Sequence, residues 1–252
     1  IFDIGGLPKH LIVIGGGPIG SELAMAFAML GAKVTMIIRS RLLTNEEMDC
    51  AAVVRDSMLD KGMVLYENAE IASTAELNQR LVVVINHQEQ EKIITGSHLL
   101  VATGREANIS GLSLEKAGVS VNNKGIKVDA RLRTSNKKVL AMGDVIGQHQ
   151  YTHAANYHAG IILKNCLFRL PAKVKAAYIP RVTYTAPELA QVGLTAHEAS
   201  QKKIKVVITE SFYEGSDRAQ TEAQTKGKIK VITDLKGRVL GVSIVGAQAG
   251  EL

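Results

Sequence analysis

Three glycines, Gly15, Gly17 and Gly20, stand at the spacing Gly-x-Gly-x-x-Gly inside LIVIGGGPIGSELA, between an apolar run and a helix-like stretch. That setting gives the pattern chemical meaning. The first glycine permits a tight turn, the second leaves room for a pyrophosphate, and the third lets helix and strand pack closely. Backbone N–H groups at the start of the following helix then face phosphate oxygens. Such a unit usually closes its second strand with Asp or Glu, which accepts hydrogen bonds from a ribose diol. Here the strand closes with Ile38, Arg39, Ser40 and Arg41. A 2′-phosphate is repelled by a carboxylate and matched by a guanidinium, so Arg39, with Arg41 as a second cation, points to NADP(H), with NAD(H) as the weaker fit. The bland alternative is that both arginines are solvated strand-end residues.

The elements that must position these groups read as follows. Leu11 to Gly15 is apolar throughout, as expected of a parallel strand covered on both faces. Pro18 to Leu30 predicts a helix ending at Gly31, and Lys33 to Arg39 a second strand. Glu47 to Lys61 predicts an amphipathic helix with Met48, Ala51, Ala52, Met58 and Leu59 on its apolar side, stopped by Gly62. Short strands are expected at Val64 to Glu67, Leu81 to Ile85 and Leu99 to Thr103. The first half is therefore an α/β, doubly wound Rossmann-like domain with a β insertion. From Ile109 to Asn136 the chain is polar and turn-rich, KVLAMGDV reads as a buried strand ending in a turn, and His153 to Leu170 as a helix ended by Pro171. From Tyr178 onward RVTYT, IKVVITESF, KIKVITD and RVLGVSIVG read as strands, with a turn at Leu235 to Arg238 and a helix in LTAHEASQKK. The best domain break lies between Pro171 and Pro180.

Composition narrows the function classes. Apolar residues make up 46% of the 252 residues and charged ones 21%, enough for a packed core. The net charge of +6 is scattered among acids without an aromatic platform, which argues against nucleic acid. No apolar run approaches the ~18 residues of a membrane helix, and no signal peptide is expected. Cys50 and Cys166 form neither a redox nor a metal motif, so buried free thiols in a reducing cytoplasm are expected. His149, His153 and His158 lack acidic or thiol partners at ligand spacing, so no metal site is expected.

The segments LIVIGGGPIGSELA, LLVATGREAN, VLAMGDV and YTAPELAQVGLTAHEA occur in the order found in the pyridine nucleotide-disulfide oxidoreductases. The chain resembles these dimeric FAD flavoproteins along its whole length, and its tail is most similar to the mercuric reductase-like branch, with dihydrolipoamide dehydrogenase as the alternative. The resemblance implies an NAD(P) domain over 1–107, the trailing part of an FAD-binding domain over 108–177, and an α+β dimerisation domain over 178–252. It also implies roles. Gly104, in ATGR, passes close to the nicotinamide cofactor, and Glu22 lies near the nicotinamide amide. Asp144 accepts a hydrogen bond from the ribityl chain of FAD. Thr152 opens a helix aimed at the flavin ring. On residue chemistry alone, a turn cap is the stronger reading of Asp144, which the resemblance reverses, and Thr152 reads as an N-cap.

Departures from the family pattern shape the expectation. Ala107 replaces the usual proline after TGR. The amino-terminal FAD fingerprint, the redox-active cysteine pair and the carboxy-terminal His-Glu pair are not in this chain, which begins at Ile1 without Met. An internal fragment is therefore expected, inactive by itself and with no catalytic residue, cut from a homodimeric enzyme carrying hydride from NADPH to FAD and on to a disulfide or related acceptor. A non-catalytic nucleotide-binding module is the other reading.

Overall fold

Strands β1 (His10–Ile14), β2 (Lys33–Ile38) and β3 (Val64–Glu67) run parallel, with α1 (Pro18–Met29) and α2 (Met48–Asp60) between them. The chain then makes an antiparallel meander, β4 (Glu70–Leu77), β5 (Arg80–His87) and β6 (Gln90–Gly96), before β7 (His98–Val101) returns beside β1. The resulting sheet order is β3-β2-β1-β7. This computed structural model describes residues 1, 3–78 and 80–252. By their internal contacts these form two units, Ile1–Gly104 with Pro180–Leu252, and Arg105–Ile179.

The uniform hydrophobicity of β1 has a direct cause. Leu11 and Val13 pack with Ala24, Met25, Val54 and Met58 of the two helices, while Ile12 faces Val83, Ile85 and Ile94 of the meander. Both faces are thus dry, one under helices and one under the β insertion. Helix α2 buries Cys50, Ala51, Val54 and Met58. Met48 and Leu59, expected on that side, are exposed.

In the second unit α3 (Thr152–Cys166) is the main regular element, preceded by a short 3-10 turn, Gly143–Ile146. Val119, Ile126, Leu132, Ala141, Ile146 and Ile161 form its core. The expected strand in KVLAMGDV is instead a single bridge, Arg133 with Leu140, beside another between Val121 and Ile126. Side chains explain this. Asp129 accepts from the amides of Arg131 and Arg133, and the Thr134 hydroxyl donates to the carbonyls of Asn136 and Val139, which consumes groups a ladder would need. Helix α3 stops at Cys166, short of the expected Leu170, and Cys166 is exposed; the expectation of two buried thiols holds only for Cys50. Burial, reinforced by the Asp49 charge, pushes the Cys50 thiol up to about 12, so it stays protonated.

The last segment contributes β8 (Arg181–Thr183), β9 (Glu188–Gly193), α4 (Ala196–Gln201), β10 (Val207–Phe212), α5 (Asp217–Thr221), β11 (Lys228–Thr233) and β12 (Val239–Gly246). The strands form an antiparallel sheet in the order β10-β11-β12-β9-β8. Leu189 and Val245 join the core beneath α1 and α2, which explains why this sheet belongs to the first unit. Helix α4 starts at a full capping box: Thr195 accepts from Glu198 N–H, and Glu198 accepts from Thr195 N–H. Among the described residues, no helix is long and apolar enough to cross a membrane.

Candidate nucleotide-binding site

The turn from β1 into α1 is set by backbone contacts. Gly15 has φ +116° and donates its N–H to Ile37 O at 2.9 Å. A Cβ there would collide with the carbonyl of Ala102, so both conformation and space demand glycine. A Cβ on Gly20 would sit 2.5 Å from Gly15 O, which accounts for the close approach of helix to strand. Gly17 differs from both. Its φ of −78° is ordinary, it caps α1 without a side-chain hydrogen bond, and a Cβ would meet nothing within 4 Å. The helix N-terminus therefore opens onto free space with its first-turn N–H groups uncapped, the geometry that receives an anion.

At the neighbouring strand end, Ile38 is 2% exposed and packs beneath Gly16, where an added Cβ would lie 2.6 Å from Ile38 Cγ2. Arg39 is exposed and, among the described residues, its side chain makes no hydrogen bond or ion pair. Arg41 is otherwise engaged: its Nη2 donates to Thr44 O at 3.0 Å and Glu46 O at 3.5 Å. The two arginines thus differ in availability. Glu67, at the end of β3 beside Ile38, accepts from Leu42 N–H at 2.6 Å. Nothing in the sequence marks Glu67, because only the β2–β3 register brings it there.

Glu22, on α1, accepts from Tyr184 N–H at 3.0 Å. Burial raises its carboxyl above the ordinary value, opposed by that amide. Gly104 has φ +153°, with open space where a side chain would point.

In the second unit, Asp144 lies in the 3-10 turn and is paired with Arg105 Nη2, while Arg105 Nη1 donates to Gln150 O at 2.8 Å. Thr152 is the first residue of α3, and the N-cap itself is Tyr151, without a side-chain cap. His158 is buried, and its Nδ1 accepts from Gly143 N–H at 3.2 Å. Burial, then the neighbouring His149, lowers its pKa, consistent with a neutral ring acting as acceptor. The sequence draws attention to His158 only as one of three histidines and to Arg105 only as the end of ATGR; nothing local links position 105 to 144 or position 143 to 158, so their partners are not visible there.

Comparison with known proteins was informative over the whole chain. Residues 2–159 match the family profile described as pyridine nucleotide-disulphide oxidoreductase, and residues 179–252 match its dimerisation domain. The mercuric reductase of Streptomyces lividans is 30% identical over 98% of this chain and 52% of its own length. A dihydrolipoyl dehydrogenase of Bacillus subtilis (strain 168) is 33% identical over 98% of this chain and 54% of its own. The chain spans about half the length of the curated relatives it matches. The crystal structure of LpdA from Mycobacterium tuberculosis superposes with a TM-score of 0.91 at 26% identity, covering 100% of this chain and 55% of that one. The HOCl-induced flavoprotein disulfide reductase RclA from Escherichia coli, in its Cu(II) complex, gives 0.88 at 29% identity, covering 99% and 56%.

Proposed function

Because this chain belongs to the pyridine nucleotide-disulphide oxidoreductase family, we propose that it supplies the NADPH site and part of the flavin site of an FAD-dependent oxidoreductase. The full protein would pass electrons to a disulfide or related acceptor in the manner of a mercuric reductase. Bound nicotinamide supplies a hydride and bound flavin accepts it. The observation that carries the reading is the glycine turn, closed by backbone at Gly15 and Gly20 and open over Gly17.

The residues fit a dinucleotide. Gly15, Gly17 and Gly20 admit the pyrophosphate to the uncapped amides of α1, and Gly104 gives the cofactor close passage. Glu22, fixed by Tyr184 N–H, presents a carboxylate oxygen for the nicotinamide amide. Arg39 holds the 2′-phosphate, and Arg41 shapes the loop beside it while adding positive charge. For the flavin the chain offers less: the Asp144 carboxylate for a ribityl hydroxyl, and the α3 N-terminus at Thr152, whose dipole favours negative charge on the ring. Domain roles follow the segments 1–107, 108–177 and 178–252. The last would pair two copies; strand β10 leaves Val207, Ile208 and Phe212 exposed at its sheet edge, as an unburied interface would. Free Cys50 and Cys166 fit a reducing cytoplasm.

A dihydrolipoamide dehydrogenase is the second reading, favoured by an identity of 33% to one such enzyme. Cofactor choice separates the two, because Ile38 offers no acceptor for the ribose diol. Calorimetry on the chain and on Arg39→Ala tests this. One charge-assisted hydrogen bond contributes roughly 1.5–3 kcal/mol, so NADP(H) affinity should fall about tenfold to hundredfold while NAD(H) affinity stays. Added salt should shrink the native preference. An unchanged NADP(H)/NAD(H) ratio in Arg39→Ala would remove the NADPH assignment.

A further inference from the structure

The segment that leads from Arg39 into α2 is fastened at both ends. On the nucleotide side, Leu43 N–H donates to Gly16 O at 2.8 Å, inside the glycine turn, and Leu42 N–H donates to Glu67. Leu43 holds φ +48°, a conformation a bulky residue keeps only when its surroundings enforce it. On the other side, a row of acids meets cations from the last part of the chain. Arg181 grips Glu46 with two prongs, Nε to Oε1 at 3.1 Å and Nη2 to Oε2 at 3.3 Å, and reaches Asn45 O at 3.5 Å. Lys230 meets Glu47 Oε1 at 3.2 Å and Asp49 Oδ2 at 2.7 Å, while Ala196 N–H donates to Glu47 Oε2 at 2.8 Å.

These contacts form a continuous path from β8 to the carbonyl of Gly16. Glu46 is only 6% exposed, and the guanidinium fork of Arg181 satisfies both of its carboxylate oxygens at once and so fixes its orientation, which a point-like ammonium would not. We propose that Arg181 is a positioning residue for the dinucleotide site: through Glu46 it holds segment 41–47, and through Leu43 N–H it holds the glycine turn. This rests on reading Gly15–Gly20 as that site, but not on the role of Arg39. The consequence is distinctive. Arg39 senses the 2′-phosphate alone, whereas a brace on the glycine turn acts on the pyrophosphate and must affect both dinucleotides alike.

Calorimetric titration of NADPH and NADH into the 252-residue chain tests this, with folding of each variant checked by circular dichroism and urea unfolding. Arg181→Met should weaken both dinucleotides by about fivefold or more, as small misplacements of positioning groups do, with their ratio kept. Its Leu43 amide should exchange hydrogen faster. Arg181→Lys should recover only part of the loss. Lys226→Met, which breaks the exposed Lys226–Asp60 pair between the same two parts of the chain, should leave both affinities unchanged. Should Arg181→Met fold poorly, the double variant Arg181→Met/Glu46→Gln removes the stranded charge and should still bind weakly. A folded Arg181→Met or double variant that binds both dinucleotides as the native chain does overturns the proposal alone. A native chain that binds neither overturns the dinucleotide reading, and the proposal with it.

Discussion

The glycine turn of the first unit and the Asp144 turn of the second are both candidate cofactor sites, yet they are built on opposite plans. At the glycine turn the backbone is locked by contacts at Gly15 and Gly20, while the groups that would meet the phosphates are idle: Gly17 faces open space and the Arg39 side chain has no partner among the described residues. In the second unit the candidate carboxylate is already engaged, Asp144 by Arg105, and the amide beside it, Gly143 N–H, by His158. A site whose scaffold is satisfied and whose recognition groups are free is preorganised for binding. One whose recognition group is paired must share that partner or exchange it. The first plan should therefore separate stability from binding under mutation, and the second should mix them.

The largest expected effect tests that separation within one turn. Gly15→Ala forces a side chain into positive φ and against the Ala102 carbonyl. The backbone strain costs on the order of 1–3 kcal/mol and the overlap a similar amount, so the chain should lose several kcal/mol and its dinucleotide affinity together. Gly17→Ala meets neither obstacle. Its stability should stay within about 0.5 kcal/mol, as at positions free of strain or burial, while dinucleotide affinity drops because the methyl stands in the approach path. Urea midpoints and calorimetry on the two variants measure both quantities. Equal stability losses would show that Gly17 is as much scaffold as Gly15.

Much of this scaffold is legible in the sequence, and the reason is local. Strand β1 and helix α1 announce themselves by an unbroken apolar run, three glycines and a proline at the first helical turn. Strand β4 announces nothing, because Glu70 to Leu77 are all exposed and neither face carries an apolar period. The supposed strand at KVLAMGDV failed for a different reason. Its residues are apolar enough, and the turn expected at its end is there at Gly143, but the facing segment is bent by Leu132 at φ +64° and the Asp129 hydrogen bond, and the Thr134 hydroxyl takes the Val139 carbonyl. In the candidate sites, glycine spacing marked where backbone must bend. The partners that fix the functional groups, Glu67 for Leu42, Arg181 for Glu46 and Arg105 for Asp144, come from distant positions, and no periodicity carries that information.

An intermediate effect concerns pH in the second unit. The folded pKa of His158 lies below its ordinary value of 6.5, chiefly through burial. Between the two values the unfolded chain binds the proton and the folded chain does not. This contribution is therefore fully present above pH 6.5 and lost as the pH falls below it, by no more than about 1.4 kcal/mol per pH unit for one proton. Protonation at Nδ1 would also abolish the acceptor for Gly143 N–H. Urea unfolding at pH 7.5 and 5.5 should show a larger loss in the native chain than in His158→Gln, whose side chain can accept from Gly143 without titrating. His10 shifts in the same direction and is common to both chains, so it cancels in the difference. Equal losses would mean that the His158 ring is not the titrating group.

The smallest expected effect decides what Asp144 is. Its partner Arg105 is 45% exposed and Asp144 itself 44%, which places the pair among the ion pairs that contribute less than about 1 kcal/mol. If Asp144 is a ligand carboxylate held in readiness, Arg105 is a replaceable partner. Arg105→Ala should then shift the urea midpoint barely at all, and part of that small shift will come from losing the Gln150 carbonyl contact rather than the ion pair. Raising the salt concentration should erase most of the remaining difference, because exposed charges are screened within about a Debye length. The scaffold alternative predicts otherwise: if the Asp144–Arg105 contact fixes the turn, the loss would exceed what an exposed ion pair contributes and would persist when the charges are screened. A loss above about 2 kcal/mol that persists in high salt would assign Asp144 to the architecture of the turn. The second unit would then contribute only the uncapped start of α3 to any flavin, and the contrast with the freely presented Arg39 would become absolute.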